Sequence, residues 1–165
     1  VLACHSDQAL ALLGDASPQE QAILAAIPYS ENSVVLHTDT NLLPKRKKAW
    51  ASWNYQLSEN RTKPASVTYN MNILQGLSSE QTFCVTLNQR EDIEPSKILR
   101  EFTYHHPVFS IASIAAQRQR LQICGKQNTH FVGAYWYSGF HEDGVRSAVD
   151  VAQRFDCYLQ ASAAK

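Results

Sequence analysis

Apolar and polar positions change period along the chain, and the changes divide it into three blocks. Residues 1–4 open as a short apolar run that reads as a buried strand. Ser6 or Asp7 then suits the cap of a short helix over 8–13, closed by Gly14. Ser17, Pro18 and Glu20 carry a stronger helix start: a hydroxyl cap, a proline at the first helical position, and an acid at the reciprocal box position. Ala22, Ile23, Ala26 and Ile27 would form that helix's inner face, and Pro28 would end it.

The spacing then shortens to two. Residues 33–38, 49–55, 66–73 and 82–87 read as strands separated by turn-rich connections. In the third, Val67, Tyr69 and Met71 alternate with Thr68, Asn70 and Asn72, which predicts an antiparallel sheet with one packed and one polar face. In the second, Trp50 falls on one face and Trp53 with Tyr55 on the other. Aromatics on both faces mean that core, or a ligand pocket, covers each side. A further strand over 98–104 would be broken by His105-His106-Pro107.

Helical spacing returns over 110–121, with Ile111, Ile114, Ala115 and Leu121 inward, and Gly125 closes the segment. Phe131 to Ala134 then reads as a buried strand and Tyr135 to Phe140 as an aromatic, glycine-punctuated loop. A last helix follows, packing through Val145, Ala148, Val149 and Ala152. The fold class expected is α+β: two αβ pieces flanking an inserted antiparallel sheet.

A strand, a glycine turn and a helix start together make ground for an anion. The first helical N–H groups have no internal acceptor, and the macrodipole adds positive potential. Gly133, Gly139 and Gly144 would let a ligand approach the backbone. An ordinary crossover with a capped helix has the same spacing, and Glu142 and Asp143 also serve simply as capping acids.

Composition narrows the partners. Lys and Arg number 15 and Asp and Glu 15, so the chain has no net charge and no field for nucleic acid. Lys45-Arg46-Lys47-Lys48 reads as a solvated loop, with a phosphate or lipid-surface contact as the alternative. No apolar run approaches the ~20 residues of a transmembrane segment. Cysteines stand apart at 4, 84, 124 and 157, with no C-x-x-C pair, which fits a reducing, cytoplasmic setting. Asn60-Arg61-Thr62 matches a glycosylation sequon, a triplet common by chance. His105, His106, His141, Glu142 and Asp143 offer metal-ligand types without metal-ligand spacing, so no metal is expected. Cys4 beside His5 is adjacency rather than a catalytic pair, and no G-x-S-x-G is present. The chain starts in mid-strand without methionine, and it is expected to be a piece of a longer protein or a processed product.

Five segments carry a family likeness: residues 3–10 (ACHSDQAL), 36–40 (LHTDT), 49–55 (AWASWNY), 104–109 (YHHPVF) and 133–148. Together they resemble the C-terminal part of bacterial flavin-containing amine-oxidase-like proteins, a group described as NAD/FAD-binding oxidoreductases. The resemblance implies that 1–27 and 121–165 belong to an FAD-binding domain and 28–120 to an antiparallel-sheet substrate domain. It implies FAD as cofactor, with Gly133, Ala134, Ser138, Gly139, Phe140, Glu142, Asp143, Gly144 and Val145 at its site. The N–H groups of Asp143, Gly144 and Val145 would face the pyrimidine oxygen of the ring. Tyr104, His105, Trp136 and Phe140 would line a small-molecule substrate pocket.

The G-x-G-x-x-G fingerprint is absent, which assigns the pyrophosphate site to a missing N-terminal part of the same protein. Ala134 stands where amine oxidases often carry an acid. No residue is assigned as catalytic base. The implied activity is hydride transfer from an amine or another organic substrate to flavin. The alternative is a stand-alone, non-catalytic ligand-binding or homodimerisation domain.

Overall fold

Ser17, Pro18 and Glu20 start a helix as their chemistry dictates. In the computed structural model, which describes residues 1–57 and 66–158, α2 covers Pro18–Ala25. The Ser17 hydroxyl accepts from the Glu20 N–H at 3.3 Å, and the Glu20 carboxylate accepts from the Ser17 N–H at 2.8 Å. Before it, α1 (Ser6–Leu12) starts two residues ahead of expectation, because Gln8 rather than Ser6 or Asp7 does the capping. Its side-chain oxygen accepts from the His5 N–H at 3.1 Å. The inner face of α2 is Ile23, Leu24 and Ile27, with Ala22 turned outward.

The strands are β1 (Tyr29–His37), β2 (Trp53–Gln56), β3 (Ser66–Asn70), β4 (Cys84–Leu87) and β5 (Ile98–Pro107). They form one antiparallel sheet in the order β2-β3-β4-β1-β5, and the α+β class holds. All five differ in bounds from the expected strands, β1 starting four residues earlier and β4 two residues later, and three of the changes have a clear local reason. Residues 49–52 are not part of the strand, because Lys47–Ala49 is a 3₁₀ turn and the Trp50 indole N–H donates to the Pro44 carbonyl at 2.8 Å, although the Ser52 carbonyl still accepts from the Asn70 N–H at 3.0 Å. Residues 71–75 are a short helix, α3 (Met71–Gln75), because the Asn70 side chain accepts from the Ile73 N–H at 3.2 Å. β5 runs through His105 and His106 to Pro107, since a pre-proline residue prefers the extended conformation and need not end a strand.

The expected sheet faces are exchanged. Thr68 and Asn70 are buried, whereas Val67 and Tyr69 are half-buried. The polar face closes because its groups satisfy one another. His37 Nε2 meets Thr86 Oγ1 at 2.8 Å, and Thr86 Oγ1 meets Thr68 Oγ1 at 2.8 Å, across β1, β4 and β3. The His37 Nδ1 accepts from the Asp39 N–H at 3.1 Å, which leaves the ring neutral with its proton on Nε2. Burial lowers the His37 pKa, against the pull of the nearby Asp39 charge. The Asp39 carboxylate resists ionisation through burial, but N–H bonds from Glu94 and Asn41 and the Lys97 ammonium outweigh it and lower its pKa.

The C-terminal helices are α4 (Ile111–Arg118), α5 (Arg120–Ile123) and α6 (His141–Ala152). The expected inner face of α4 is turned around: Ile111 is 91% and Leu121 68% exposed, while Ser113, Ala116, Arg120 and Ile123 are buried. The Ser113 hydroxyl donates to the Ser110 carbonyl at 3.0 Å, so a polar residue at the helix start is buried at no loss. α6 is buried most fully at Ser147 and Val151; of its expected face Val149 and Ala152 are half-buried, whereas Ala148 and Val145, the latter at 51%, are exposed. Ser147 is buried on that face because its hydroxyl bridges the Gly133 N–H and the Gly144 carbonyl.

The chain divides into two units. One takes Val1–Ser30 and the residues from His106 onward; the other is Glu31–His105. Residues 106–120, expected with the sheet, thus lie in the first unit. Its core includes Ala9, Ile23, Leu24, Ile27, Ala116, Ile123, Phe131, Val132 and Val151. Each large aliphatic here contributes roughly 1.5–3 kcal/mol on burial.

The two expected strands of this unit, 1–4 and 131–134, meet at one parallel bridge, Leu2 to Phe131. The Leu2 N–H donates to the His130 carbonyl at 2.7 Å, and the Val132 N–H to the Leu2 carbonyl at 3.0 Å. All four cysteines are free, and burial pushes the Cys84 thiol up to about 11. Among the described residues, no helix is long and apolar enough to cross a membrane, and no three His, Cys, Asp or Glu side chains gather as metal ligands. The sequon at Asn60 lies outside the described residues.

Candidate functional site

The two bridged segments run parallel, and each leads into a helix: Leu2 into α1, Phe131 into α6. Open α/β layers bind ligands at such carboxyl ends. Here that end consists of Cys4 and His5 on one segment and Gly133 and Ala134 on the other. A Cβ on Gly133 would come within 3.4 Å of the Cys4 carbonyl oxygen.

From Gly133 to α6 the chain is held by a clamp of four side chains. The Gly133 N–H donates to Ser147 Oγ at 2.8 Å, and that hydroxyl donates to the Gly144 carbonyl at 2.8 Å. Gln117 donates to the carbonyls of Tyr135 (2.8 Å) and Tyr137 (2.7 Å), which fixes the 3₁₀ turn Ala134–Trp136. Arg120 donates to Asp150 at 2.7 Å and to the Ser147 carbonyl at 2.8 Å, and the Tyr137 hydroxyl donates to the same Asp150 oxygen. Burial opposes the charge on Asp150, but these bonds and the Arg120 and Arg146 cations lower its pKa overall. Burial, with the Asp150 bond, raises that of Tyr137. Gln117, Arg120, Ser147 and Asp150 were not expected from the sequence. Only Ser147, one turn after Gly144, left a trace there, as a small residue on the helix.

The start of α6 differs from expectation in which amides it leaves open. Phe140 is the cap residue. The Asp143 carboxylate turns back to accept from the N–H groups of Ser138 (3.1 Å) and Phe140 (3.0 Å). The N–H groups of Asp143 and Gly144 donate to the Phe140 carbonyl at 3.0 and 3.2 Å, and Val145 lies a turn further in. The first-turn amides without an acceptor inside the helix are therefore those of His141 and Glu142. Phe140 and Glu142 are exposed.

Beside this turn lies a cleft of about 430 Å³, walled by Phe109, Ile114, Trp136 and Tyr137 and rimmed by Ser138, Asp143 and Arg146. A second, of about 420 Å³, shares Gln117, Trp136 and Tyr137 with it and has Arg118, Arg120 and Arg154 in its wall. The Trp136 ring itself is buried, and its indole N–H donates to the Phe131 carbonyl at 3.0 Å. Of the expected pocket residues, Trp136 and Phe140 belong to this unit. Tyr104 and His105 belong to β5 in the other, where Tyr104 stacks on Phe102 at 5.5 Å and His105 Nε2 lies 3.8 Å from Glu31.

The glycines meet a cofactor unequally. Gly139 needs its positive φ of 91° and lies against the Phe109 ring. At Gly144 an added Cβ would make only ordinary contact with Ala134, 3.8 Å from its nitrogen. At Gly133 the space a Cβ would fill is taken by the ring of Tyr135, whose Cε1 lies 2.3 Å from that position. The open amides and the cleft fit a flat ring carrying an oxygen acceptor; the ground over Gly133 fits no ligand while Tyr135 lies on it. No family model and no curated protein matches the chain.

Proposed function

We propose that the chain is the C-terminal part of an FAD-dependent oxidoreductase resembling the amine oxidases, acting on an amine or another organic small molecule. The observation that carries this reading is the parallel pairing at Leu2 and Phe131, with a long helix starting just beyond one carboxyl end. Such a start favours an electron-rich acceptor atom.

Bound flavin would supply the hydride-accepting centre. The chain's own residues would hold and orient it. His141 and Glu142 would donate their backbone N–H groups, and Asp143 would keep the turn closed through Ser138 and Phe140. Phe109, Trp136 and Phe140 would provide an apolar wall that excludes water. The fingerprint that grips a pyrophosphate is not in this sequence, so the reading places that half on preceding residues of a longer chain.

The test is expression of the full reading frame and a visible spectrum. Flavin bands that bleach on adding candidate amines or unsaturated substrates support the proposal. A colourless, folded product that takes up no added FAD overturns it and favours a binding or dimerisation module. The 165-residue chain alone should bind FAD at least about tenfold more weakly than the longer protein, a difference of about 1.4 kcal/mol. Equally tight binding in a calorimetric titration contradicts the two-part site.

A further inference from the structure

The cleft walled by Arg118, Arg120 and Arg154 carries more positive charge than its structural contacts use. Among the described residues Asp150 is the one acid in its lining, against three guanidinium groups, in a chain with as many acids as bases. Asp150 is moreover already matched, by Arg120 at 2.7 Å and by the Tyr137 hydroxyl. Each arginine presents five N–H donors in a planar fork. Arg154 uses Nη1 on the Cys124 carbonyl at 2.8 Å, and Arg120 uses Nη1 and Nη2 on Asp150 and the Ser147 carbonyl. The Arg118 side chain makes no hydrogen bond or ion pair with any of the described residues. Burial, and after it the Arg154 charge, lower the pKa of His130, so that charge reaches its surroundings without being cancelled. Arg118, in the last turn of α4, and Arg154, just past α6, also complement helix C-termini, a duty that asks for charge but not for a cavity between them.

We propose that this cleft is a binding site for a small organic phosphate, with Arg118 and Arg154 closing on the phosphate group and Arg120 adding charge from the wall. Arg120 is 8% exposed and tied down by Asp150 and Ser147, so its position is fixed before a ligand arrives. A phosphate dianion suits the cleft better than a carboxylate does. Its three terminal oxygens accept from several guanidinium forks at once, whereas a carboxylate satisfies one fork. Its two charges also match the excess of cations over Asp150. The volume of about 420 Å³ lies in the range of small-molecule sites and exceeds what a bare ion needs. Leu121, Trp136 and Val151 line the remainder, which suits an apolar or flat body attached to the charged group. The inference stands apart from the flavin reading, because binding here requires no cofactor.

The test is calorimetric titration of the protein with phenyl phosphate, inorganic phosphate and benzoate. Ionic strength is held constant, so that screening is equal in every titration. Phenyl phosphate should bind saturably and at least about tenfold more tightly than either inorganic phosphate or benzoate. Arg118→Gln and Arg154→Gln should each weaken phenyl phosphate binding about tenfold. Arg118→Gln is the cleaner variant. Its side chain holds no other described group, so its melting temperature without ligand should stay within about 2 °C of wild type. Lys47→Gln, in the basic loop of the other unit, should bind as wild type does. Absence of saturable phenyl phosphate binding, or unchanged affinity in Arg118→Gln, overturns the site. Benzoate binding as tightly as phenyl phosphate overturns the choice of phosphate. An equal loss in Lys47→Gln and Arg118→Gln also overturns the proposal, since the anion would then answer to positive charge in general.

Discussion

His37 and Tyr135 are both buried side chains with a polar end, and they are treated in opposite ways. His37 sits in a row in which every nitrogen and hydroxyl has a partner, from the Asp39 N–H through Thr86 to Thr68. Tyr135 has an apolar core around its ring, with the tilted Trp136 ring 4.8 Å away, and no well-formed hydrogen bond to its hydroxyl. A satisfied polar row holds one arrangement, because moving any member strands another. An unsatisfied group does the reverse: a second arrangement that gives it a partner competes with the first. The sheet unit therefore uses buried polarity to fix its strands, whereas the helical unit buries the Tyr135 hydroxyl in its apolar core without such a row.

The comparison can be broken most sharply at Thr86. Thr86→Val keeps the shape and strands both His37 and Thr68, and should destabilise the sheet by about 3 kcal/mol in chemical denaturation. A loss below about 1 kcal/mol would mean that the row is not a unit. Next comes Gly133→Ala. Its methyl would lie inside the Tyr135 ring, so the ring must shift, at a loss of about 2 kcal/mol. Combined with Tyr135→Ala, the same substitution should become nearly neutral relative to Tyr135→Ala alone, and full additivity would place the two residues apart.

The smallest effect is with pH. The His37 pKa is lowered in the folded state, so the unfolded chain binds more protons around its ordinary value of about 6.5. The stability this neutral ring contributes is present above that value and declines as pH falls below it toward the folded pKa. A denaturation midpoint that falls between pH 7.5 and 5.5, and whose slope flattens in His37→Gln, is the expected result. Tyr135, raised far above that range by burial, contributes no slope there.

Features set by neighbours in sequence were legible beforehand. Ser17, Pro18 and Glu20 placed the start of α2 to the residue, and Ser110 marked the start of α4. Apolar positions such as Ile23, Ile27 and Phe131 were rightly placed inside, but the inference from polarity to burial failed in β3, α4 and part of α6. Thr68 and Asn70 look like a solvent face until Thr86 and the Ile73 N–H are known to meet them, and those partners are distant or belong to a turn. On α6 the apolar stripe at Val145 and Ala148 outweighed Ser147, although the Ser147 hydroxyl is what ties the helix to Gly133. The helix start itself was found, but its open amides were read two residues late, because the cap is Phe140 and the closing acid Asp143. Nothing in the sequence marked Tyr135 as the ring over Gly133; that follows only from the 3₁₀ turn between them.

The margins of the sheet bear on self-association. β2, at one margin, offers only four residues, Trp53–Gln56. β5, at the other, carries Arg100 and Glu101 and ends in Pro107, which has no amide hydrogen to donate. Short, charged or proline-ended borders are poor templates for a further strand. Two copies of this protein would thus gain little by extending one sheet into the other, and fibre growth along that direction is discouraged by the same residues.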